Sequence, residues 1–201
     1  MSRSYQREAH NTFFQLHLRI IGGKYRGRGI SPPRNIKARP TTDFAREGLF
    51  NILANSFDFS TLSVLDLFSG TGSISYEFAS RGASHVELVE IERVNFRFIT
   101  DTVRKLGFTS IRPHNCDVRS YLQRGSGSFD IIFADPPYDL PWGGDIPEMV
   151  KKSGLLHIEG LLIVEHSARS TPGLSDYIVD RRRYGNVNFT FFRFPQNEIA
   201  G

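Results

Sequence analysis

Between residues 63 and 165 the chain alternates short apolar runs with segments of helical character, and no other feature constrains the fold as strongly. Strands that alternate with helices form parallel βαβ units, in which helices cover both faces of the sheet. The predicted strands are Val64–Phe68, His85–Val89, Ser110–His114, Phe129–Ala134 and Leu161–Glu165, and the predicted helices are Ser73–Ser80, Arg93–Leu106, Val118–Gln123 and Ile146–Ser153.

The C-terminal part of the chain is predicted to form an antiparallel strand pair. Tyr177–Arg182 and Val187–Phe194 are β-type runs on either side of a turn at Tyr184-Gly185-Asn186. Together with the five preceding strands, this pair predicts an α/β fold. Its sheet has seven strands, is mostly parallel, and ends in an antiparallel hairpin.

The segment before the sheet is predicted to form a small β-hairpin. Phe13–Ile21 and Tyr25–Ile30 are short β-type runs, and Gly22-Gly23 between them suits a turn because glycine tolerates positive φ. The predicted organisation is a disordered extension over residues 1–15, a hairpin and helix over 16–56, and a larger α/β domain over 57–201.

A helix is predicted after the hairpin, running to about Ala54. Thr42 or Asp43 is its expected N-cap, because a short oxygen-bearing side chain there accepts from the first backbone N–H groups. Gly48 lies inside this helix, where glycine costs about 1 kcal/mol relative to alanine. The glycine therefore makes the helix less favourable at this position.

Basic side chains are concentrated near the N-terminus. From Leu16 to Arg39 the chain carries no Asp or Glu, although the net charge of the whole chain is only +4. Such an unbalanced segment is typical of surfaces that contact nucleic-acid phosphates. For a second cluster, Arg181-Arg182-Arg183, a plain solvated surface is an equally good interpretation. The N-terminal basic residues are Arg19, Lys24, Arg26, Arg28, Arg34, Lys37 and Arg39.

Composition excludes several classes of protein. The single cysteine, Cys116, cannot form an intramolecular disulfide. No long apolar run follows Met1, and no stretch approaches the roughly 20 apolar residues that span a bilayer. The histidines and the cysteine lack the spacing of a metal site. We therefore expect a cytoplasmic protein with no membrane contact and no metal.

A glycine turn follows the first strand of the predicted sheet. It resembles a dinucleotide-binding turn, but the position of the third glycine is Ser75. Asp66 lies inside the strand just before the turn, where a carboxylate would repel a pyrophosphate. It suits a cationic ligand, such as the amino group and sulfonium of S-adenosylmethionine. A strand, a GxG turn and a helix are weak evidence of a ligand site when taken alone. A turn with a purely structural role explains them equally well.

Two further acids end the next two predicted strands. Glu90 is placed where a carboxylate takes two ribose hydroxyls, and Asp117 where an acid accepts from an adenine amino group. Each alone could be a helix N-cap, but three acids at the carboxyl ends of successive parallel strands indicate a cofactor site. The predicted cofactor-binding residues are Asp66, Phe68, Ser69, Gly70, Thr71, Gly72, Glu90, Ile91, Asp117 and Val118.

The fourth predicted strand delivers Asp135-Pro136-Pro137-Tyr138 to the same edge of the sheet. Each proline disfavours the α region for the residue before it, so Asp135 and Pro136 are held extended. The Asp135 carboxylate and the Pro136 carbonyl can then accept both hydrogens of an NH₂ group, while Tyr138 offers a face for a base. Out of context the tetrapeptide is more often a rigid surface turn. Here it predicts a catalytic site for an exocyclic base amine.

These motifs resemble the bacterial RsmD family of class I (Rossmann-like) methyltransferases. Its members transfer a methyl group from S-adenosylmethionine to the N2 amine of a guanine in 16S rRNA (guanine 966 type). The likeness extends from about Arg19 to Arg193, and its N-terminal blocks are the specific part. The matching segments are Arg19–Arg28, Arg39–Asp43, Arg46–Asn51, Asp66–Gly72, Ser80–Ala83, Val89–Glu92, Asp135–Tyr138 and Arg183–Gly185.

The resemblance implies roles for the matched positions. It implies S-adenosylhomocysteine as product, Thr42 beside the cofactor, and rRNA contacts from the basic hairpin through Arg19, Lys24, Arg26, Arg28 and Arg39. It also implies a monomer that acts on 16S rRNA within an assembling small ribosomal subunit. Ser73–Phe78 depart from the family, which more often has small and aliphatic residues there.

Three other functions share some of these sequence features. An N6-adenine methyltransferase of DNA or RNA uses the same tetrapeptide, although no loop here is long enough for a target-recognition insert. A protein-glutamine methyltransferase tends to have Asn where Asp135 stands. A non-catalytic rRNA-binding assembly factor would need neither Asp135 nor Asp66.

Overall fold

The computed structural model describes residues 18–33, 36, 41–168, 170 and 172–195. The predicted extension over residues 1–15, the first part of the predicted strand Phe13–Ile21, and Arg39 lie outside these residues. The helices are α1 (Asp43–Ala54), α2 (Ser73–Ser80), α3 (Arg93–Leu106), α4 (Val118–Arg124) and α5 (Ile146–Ser153).

The strands form two sheets. The N-terminal pair is β1 (Leu18–Arg19) and β2 (Gly29–Ile30). The strands of the main sheet are β3 (Ser63–Leu67), β4 (His85–Val89), β5 (Ile111–His114), β6 (Phe129–Ala134), β7 (Leu156–His166), β8 (Ile178–Tyr184) and β9 (Val187–Phe192).

The seven strands of the main sheet are ordered β5-β4-β3-β6-β7-β9-β8. Strands β3 to β7 are parallel, whereas β9 runs antiparallel to both β7 and β8. The chain leaves β3 toward β4 and β5, then crosses back to place β6 on the other side of β3. This reversal opens a crevice at the carboxyl ends of β3 and β6, where ligands of open α/β sheets bind. The predicted fold class is confirmed.

Two apolar cores lie on opposite faces of the sheet. Alternate residues of each strand point to opposite faces, so Val64 packs with Leu49 and Ile74 of α1 and α2, while Leu65 packs with Val150 of α5. Both cores are built from nearly inaccessible side chains. Asp66 follows in the same alternation and therefore points to the face that α1 and α2 cover.

Local sequence accounts for the start of α1. The Thr42 side chain accepts a hydrogen bond from the Ala45 backbone N–H at 3.2 Å, so Thr42, one of the two predicted N-caps, is the cap. Asp43 follows in the first turn, where a negative charge suits the helix dipole.

The prediction for the N-terminal hairpin was partly wrong. Tyr25 was assigned to a strand but lies in the turn, because its backbone N–H donates to Ser80 Oγ of α2 at 2.9 Å instead of pairing across the hairpin. Lys24 N–H likewise donates to the Ser80 carbonyl at 2.7 Å. The hairpin tip is therefore tied to the last turn of α2.

Strand β7 is longer than predicted. It begins at Leu156, five residues before the predicted start at Leu161, because Leu156 pairs with Phe129 across a register shift in β6. Along the part of the chain that the structure describes, no helix is both long and apolar enough to cross a membrane.

Candidate active site

A cavity of about 490 Å³ opens at the carboxyl ends of β3, β4 and β6. Cavities of this size hold ligands as large as a nucleoside derivative. Its walls come from the turn after β3, the loops after β4 and β6, and the start of α4. The lining residues are Thr41, Asp66, Phe68, Ser69, Gly70, Thr71, Ser73, Ile74, Val89, Glu90, Ile91, Glu92, Asn95, Asp117, Val118, Phe133 and Asp135–Tyr138.

The turn after β3 is held in an unusual backbone conformation. Phe68 has φ of 60°, a left-handed value that a bulky side chain rarely adopts, and Gly70 follows at 57°. Ser69 stabilises the turn by donating its side-chain hydroxyl to the Asp66 carbonyl at 2.8 Å. Such strain persists where the surrounding structure enforces it, and it is typical of ligand sites.

Asp66 is a buried acid in the cavity wall. Ser75 Oγ donates to its Oδ2 at 2.5 Å, so the residue that replaces the third glycine has a defined partner. Burial, and to a smaller extent the neighbouring charge of Glu90, raise the pKa of Asp66 to about 7. An acid with this pKa gains most from a cationic ligand, because a positive charge nearby stabilises the carboxylate.

Glu90 ends β4 on the other side of the turn. Its Oε2 accepts from the Gly70 backbone N–H and its Oε1 from the Glu92 backbone N–H, both at 2.7 Å. The Asn95 side chain also hydrogen-bonds to this carboxylate, so one of its four acceptor positions remains for a ligand hydroxyl. The amide oxygen of Asn95, which also lines the cavity, is a further acceptor for a vicinal hydroxyl. Burial raises the pKa of Glu90 above its usual range.

Asp117 caps α4 and lines the cavity at the same time. Its Oδ1 accepts from the Arg119 and Ser120 backbone N–H groups at 2.9 and 3.3 Å. Partial burial raises the pKa of Asp117, but the hydrogen bonds from Arg119 and Ser120 outweigh that effect and hold it below the usual value. The N-cap interpretation is therefore correct, and the cap does not exclude a ligand at the second oxygen.

The tetrapeptide Asp135-Pro136-Pro137-Tyr138 borders the cavity beside Asp66. Asp135 follows β6 directly, and its backbone N–H is 3.4 Å from the Leu67 carbonyl of β3. Burial first, and then the charges of Glu165 and Asp66, raise the pKa of Asp135 well above its usual range. Tyr138 is 51% exposed at the rim of the cavity.

Glu165 is a neighbouring acid that the sequence analysis did not assign to the site. It is only 2% exposed, and its Oε2 accepts from Thr41 Oγ1 at 2.6 Å. Ala134 pairs with Val164, so Asp135 and Glu165 follow at the same level of adjacent strands. An acid at the end of a buried strand was the signal that identified Glu90 and Asp117, and it applies equally to Glu165.

Two predicted cofactor residues lie away from the cavity wall. The Thr42 hydroxyl caps α1, so the neighbouring Thr41 lines the cavity instead. Gly72 does not line it either. Gly72 has φ of 80°, and a Cβ there would come within 2.7 Å of the Tyr76 ring, so glycine is required by backbone conformation and packing. The other nine predicted cofactor residues all border the cavity.

The basic hairpin residues lie on the surface and not in the cavity. Lys24, Arg26 and Arg28 are exposed, and Arg19 pairs with Asp43 at 2.6 Å beside the start of α1. Within the described part of the chain, no cluster of His, Cys, Asp or Glu side chains could hold a metal ion.

The cavity fits S-adenosylmethionine by the chemistry of its donors. A buried acid with a pKa near 7 suits a cation, a clamped carboxylate suits a diol, and a third acid borders an apolar wall that includes Ile91 and Val118. The fold and this site define a class I S-adenosylmethionine-dependent methyltransferase. A solved methyltransferase complexed with S-adenosylhomocysteine shares the fold, with a TM-score of 0.59 over 74% of this chain and 49% of that one at 17% identity.

Within this class the chain belongs to the RsmD family. The family model described as Conserved hypothetical protein 95 matches residues 18–193. The chain is 33% identical over 148 residues to the ribosomal RNA small subunit methyltransferase D of Escherichia coli K12, covering 74% of each. The solved Escherichia coli protein yhhF superposes with a TM-score of 0.78, at 27% identity, over 89% of this chain and 98% of that one.

Proposed function

We propose that this protein methylates the exocyclic N2 amine of a guanine in 16S rRNA, using S-adenosylmethionine. The observation that carries the proposal is the position of Asp135–Tyr138 in one cavity with Asp66, Glu90 and Asp117. Family membership supports rRNA as the substrate, because a relative is named as a small-subunit rRNA methyltransferase. The guanine 966 position and the assembling subunit are parts of the same proposal.

The residues around Asp135 would hold the amine for in-line transfer. The Asp135 carboxylate and the Pro136 carbonyl accept one N–H each, which favours a pyramidal nitrogen with its lone pair directed toward the cofactor side of the cavity. Stacking of the base on Tyr138 contributes about 1–3 kcal/mol. Bound S-adenosylmethionine supplies an electrophilic methyl group on a sulfur that leaves neutral. The N–C bond forms as the S–C bond breaks, and the surplus amine proton passes to Asp135 or to water.

Orientation carries most of the rate in this proposal. Correct positioning of two reactants lowers the activation free energy by up to roughly 7–11 kcal/mol. A leaving group that departs neutral needs no general acid. Asp66 lies in β3 and Glu90 directly follows β4, on the two sides of the turn after β3, so they would fix the cofactor while Asp135 fixes the amine.

A label-transfer assay tests the substrate class. Purified protein is incubated with S-adenosylmethionine carrying a tritiated methyl group and, separately, with unmodified small subunits, naked 16S rRNA or duplex DNA. We expect label in ribosomal RNA and none in DNA. Comparing the label in naked 16S rRNA with the label in small subunits shows which of the two is the substrate. Label in DNA would point to an adenine methyltransferase, and no label in any substrate would point to a binding factor.

The Asp135→Ala variant separates the amine site from the cofactor site. We expect transfer to fall below detection while the Kd for S-adenosylmethionine, measured by calorimetry, stays within a few-fold of the wild-type value. The reason is that the Asp135 carboxylate is assigned to the amine and Asp66 to the cofactor. A comparable loss of cofactor binding would make Asp135 a cofactor ligand instead.

A further inference from the structure

The arginine cluster on β8 lies at the same edge of the sheet as the cavity. Strand β8 runs antiparallel to β9, and β9 antiparallel to β7, so β8 points in the same direction as β6 and β7. Its C-terminal residues, which include Arg181 to Arg183, therefore reach the edge at which Asp135 follows β6. The sequence alone placed Arg181 and Arg182 in the predicted strand Tyr177–Arg182 but left the role of the cluster open.

The strand register places the cluster near the level of the tetrapeptide. Arg183 pairs with Asn188, and Asn188 pairs with His166. Because Ala134 pairs with Val164, His166 lies at the level of Pro136. Three strand spacings separate β6 from β8, or about 15 Å at roughly 4.8 Å each. One strand of RNA can reach both places.

Arg181 and Arg183 share one face of the hairpin with polar groups. Together with His166, Asn188 and Thr190, and with Arg182 and Phe189 between them in the strands, they border a depression of about 120 Å³. His166 Nδ1 donates to the Ser167 carbonyl at 2.9 Å, and its Nε2 is hydrogen-bonded to Thr190 Oγ1 at 2.8 Å. The floor of the depression is thus fixed by hydrogen bonds.

The charges of Arg181 and Arg183 face solvent. Arg182 points to the other face and pairs with Asp180 at 2.8 Å. Arg183 Nε donates to the Gly185 carbonyl at 2.9 Å, which orients its guanidinium without neutralising it. Among the described residues, no carboxylate forms a salt bridge with Arg181 or Arg183. Two such guanidinium groups above hydroxyl and amide groups suit a phosphodiester.

We propose that Arg181 and Arg183 bind backbone phosphates of the RNA strand that carries the target base. The inference rests on the proposed function in taking RNA as the substrate. The N-terminal hairpin tip is tied to Ser80, eight residues along α2 from Gly72 and so about 12 Å farther from the cavity. The hairpin tip therefore contacts other parts of the RNA, and β8 contacts the phosphates beside the target.

Direct RNA binding tests the proposal. The Kd of a fluorescent small-subunit rRNA fragment is measured by anisotropy over a range of salt concentrations, for wild type and for Arg181→Ala/Arg183→Ala. We expect the variant to bind the fragment at least tenfold more weakly. The slope of log Kd against log salt concentration should also be smaller by about 1.4, because each contact with a phosphate of single-stranded RNA contributes roughly 0.7 to it. An Arg181→Lys/Arg183→Lys variant should keep most of the affinity.

The control removes two exposed positive charges from the opposite edge of the sheet. Arg104→Ala/Lys105→Ala, in the last turn of α3, should leave the Kd within twofold. Equal losses in both variants, or none in the β8 variant, would overturn the proposal. Failure of wild-type protein to methylate any RNA would instead overturn the proposed function, because binding is measured separately from transfer.

Discussion

At the scale of single residues, the site is organised by acids that the fold buries. Asp66 is 1% exposed and Glu165 is 2% exposed, and Asp135 follows β6 between their two strands. Burial and the charges of neighbouring acids favour the protonated forms of Asp66 and Asp135, and a cationic ligand reverses that preference. The acids therefore couple ligand binding to pH and to stability.

Asp66→Asn should stabilise the ligand-free protein in a pH-dependent way. The pKa of Asp66 is about 7 in the folded protein against an ordinary 3.8, so its stabilising contribution is present below pH 4 and is lost as pH rises to about 7. We expect the variant to have a Tm several degrees above wild type at pH 8, and a smaller difference at pH 4.5, by differential scanning calorimetry. The same variant should lose cofactor affinity at least a hundredfold.

A pH-independent difference in Tm would show that ionisation of Asp66 is not its cause. Ser75→Ala serves as the control, because it removes the hydrogen bond to Asp66 and keeps the carboxyl group. We expect that variant to be less stable than wild type at pH 8, since the carboxylate loses a donor.

Glu165→Gln should shift the pH dependence of methyl transfer. Glu165 and Asp66 are the charged groups that raise the pKa of Asp135, and the substitution removes one negative charge while keeping an acceptor for Thr41. The pKa of Asp135 then falls, so the acid limb of the kcat profile should move to lower pH. Thr41→Val keeps the charge and should not move the limb downward. An unshifted limb in Glu165→Gln would contradict the coupling.

At the scale of elements, α1 joins the N-terminal segment to the edge of the main sheet. Gly48, for which the sequence offered no local reason, lies against β8, and a Cβ there would overlap the Tyr184 ring. Tyr184 also packs edge-on against Phe44 of α1. The glycine is therefore a packing requirement that only the tertiary structure reveals.

Gly48→Ala should destabilise the protein although alanine favours helices. Overlap with the Tyr184 ring costs about 1–3 kcal/mol, and most of this range exceeds the gain of about 1 kcal/mol in helix propensity. We expect a lower urea midpoint by circular dichroism. Tyr184→Leu removes the ring that the alanine overlaps. Adding Gly48→Ala to Tyr184→Leu should therefore lower the urea midpoint less than adding it to the wild type. A higher midpoint for the single variant would contradict the packing argument.

The parallel part of the sheet could be predicted from the sequence because it depends on local periodicity. Strand His85–Val89 and helix Arg93–Leu106 have the predicted bounds. The structure of the hairpin tip could not be predicted in this way, because the Tyr25 N–H donates to Ser80, which is 55 residues away in the chain. A local sequence pattern does not show which distant residue will form such a hydrogen bond.

At the scale of the whole molecule, a fully buried acid connects the N-terminal segment to the catalytic core. Glu77 of α2 accepts from the Ile21 N–H at 2.6 Å and pairs with Arg46 of α1 and with Arg81. Its helix begins at the turn beside the cavity. Glu77 lies in the segment Ser73–Phe78, which departs from the family resemblance, and no local sequence pattern indicates its role.

The candidate site was largely predictable because the carboxyl ends of parallel strands meet at one edge. This rule predicts from the sequence that Asp66, Glu90, Asp117 and Asp135 lie close together. It did not extend to Thr41, which reaches the cavity from outside the sheet through its bond to Glu165.

The most direct test of the central claim is identification of the methylated nucleoside. Small subunits from cells that lack the modification are incubated with the purified protein and labelled S-adenosylmethionine, and the rRNA is digested and resolved by liquid chromatography with mass spectrometry. We predict that the label elutes as N2-methylguanosine. Label in N6-methyladenosine, or no labelled nucleoside at all, would contradict the account.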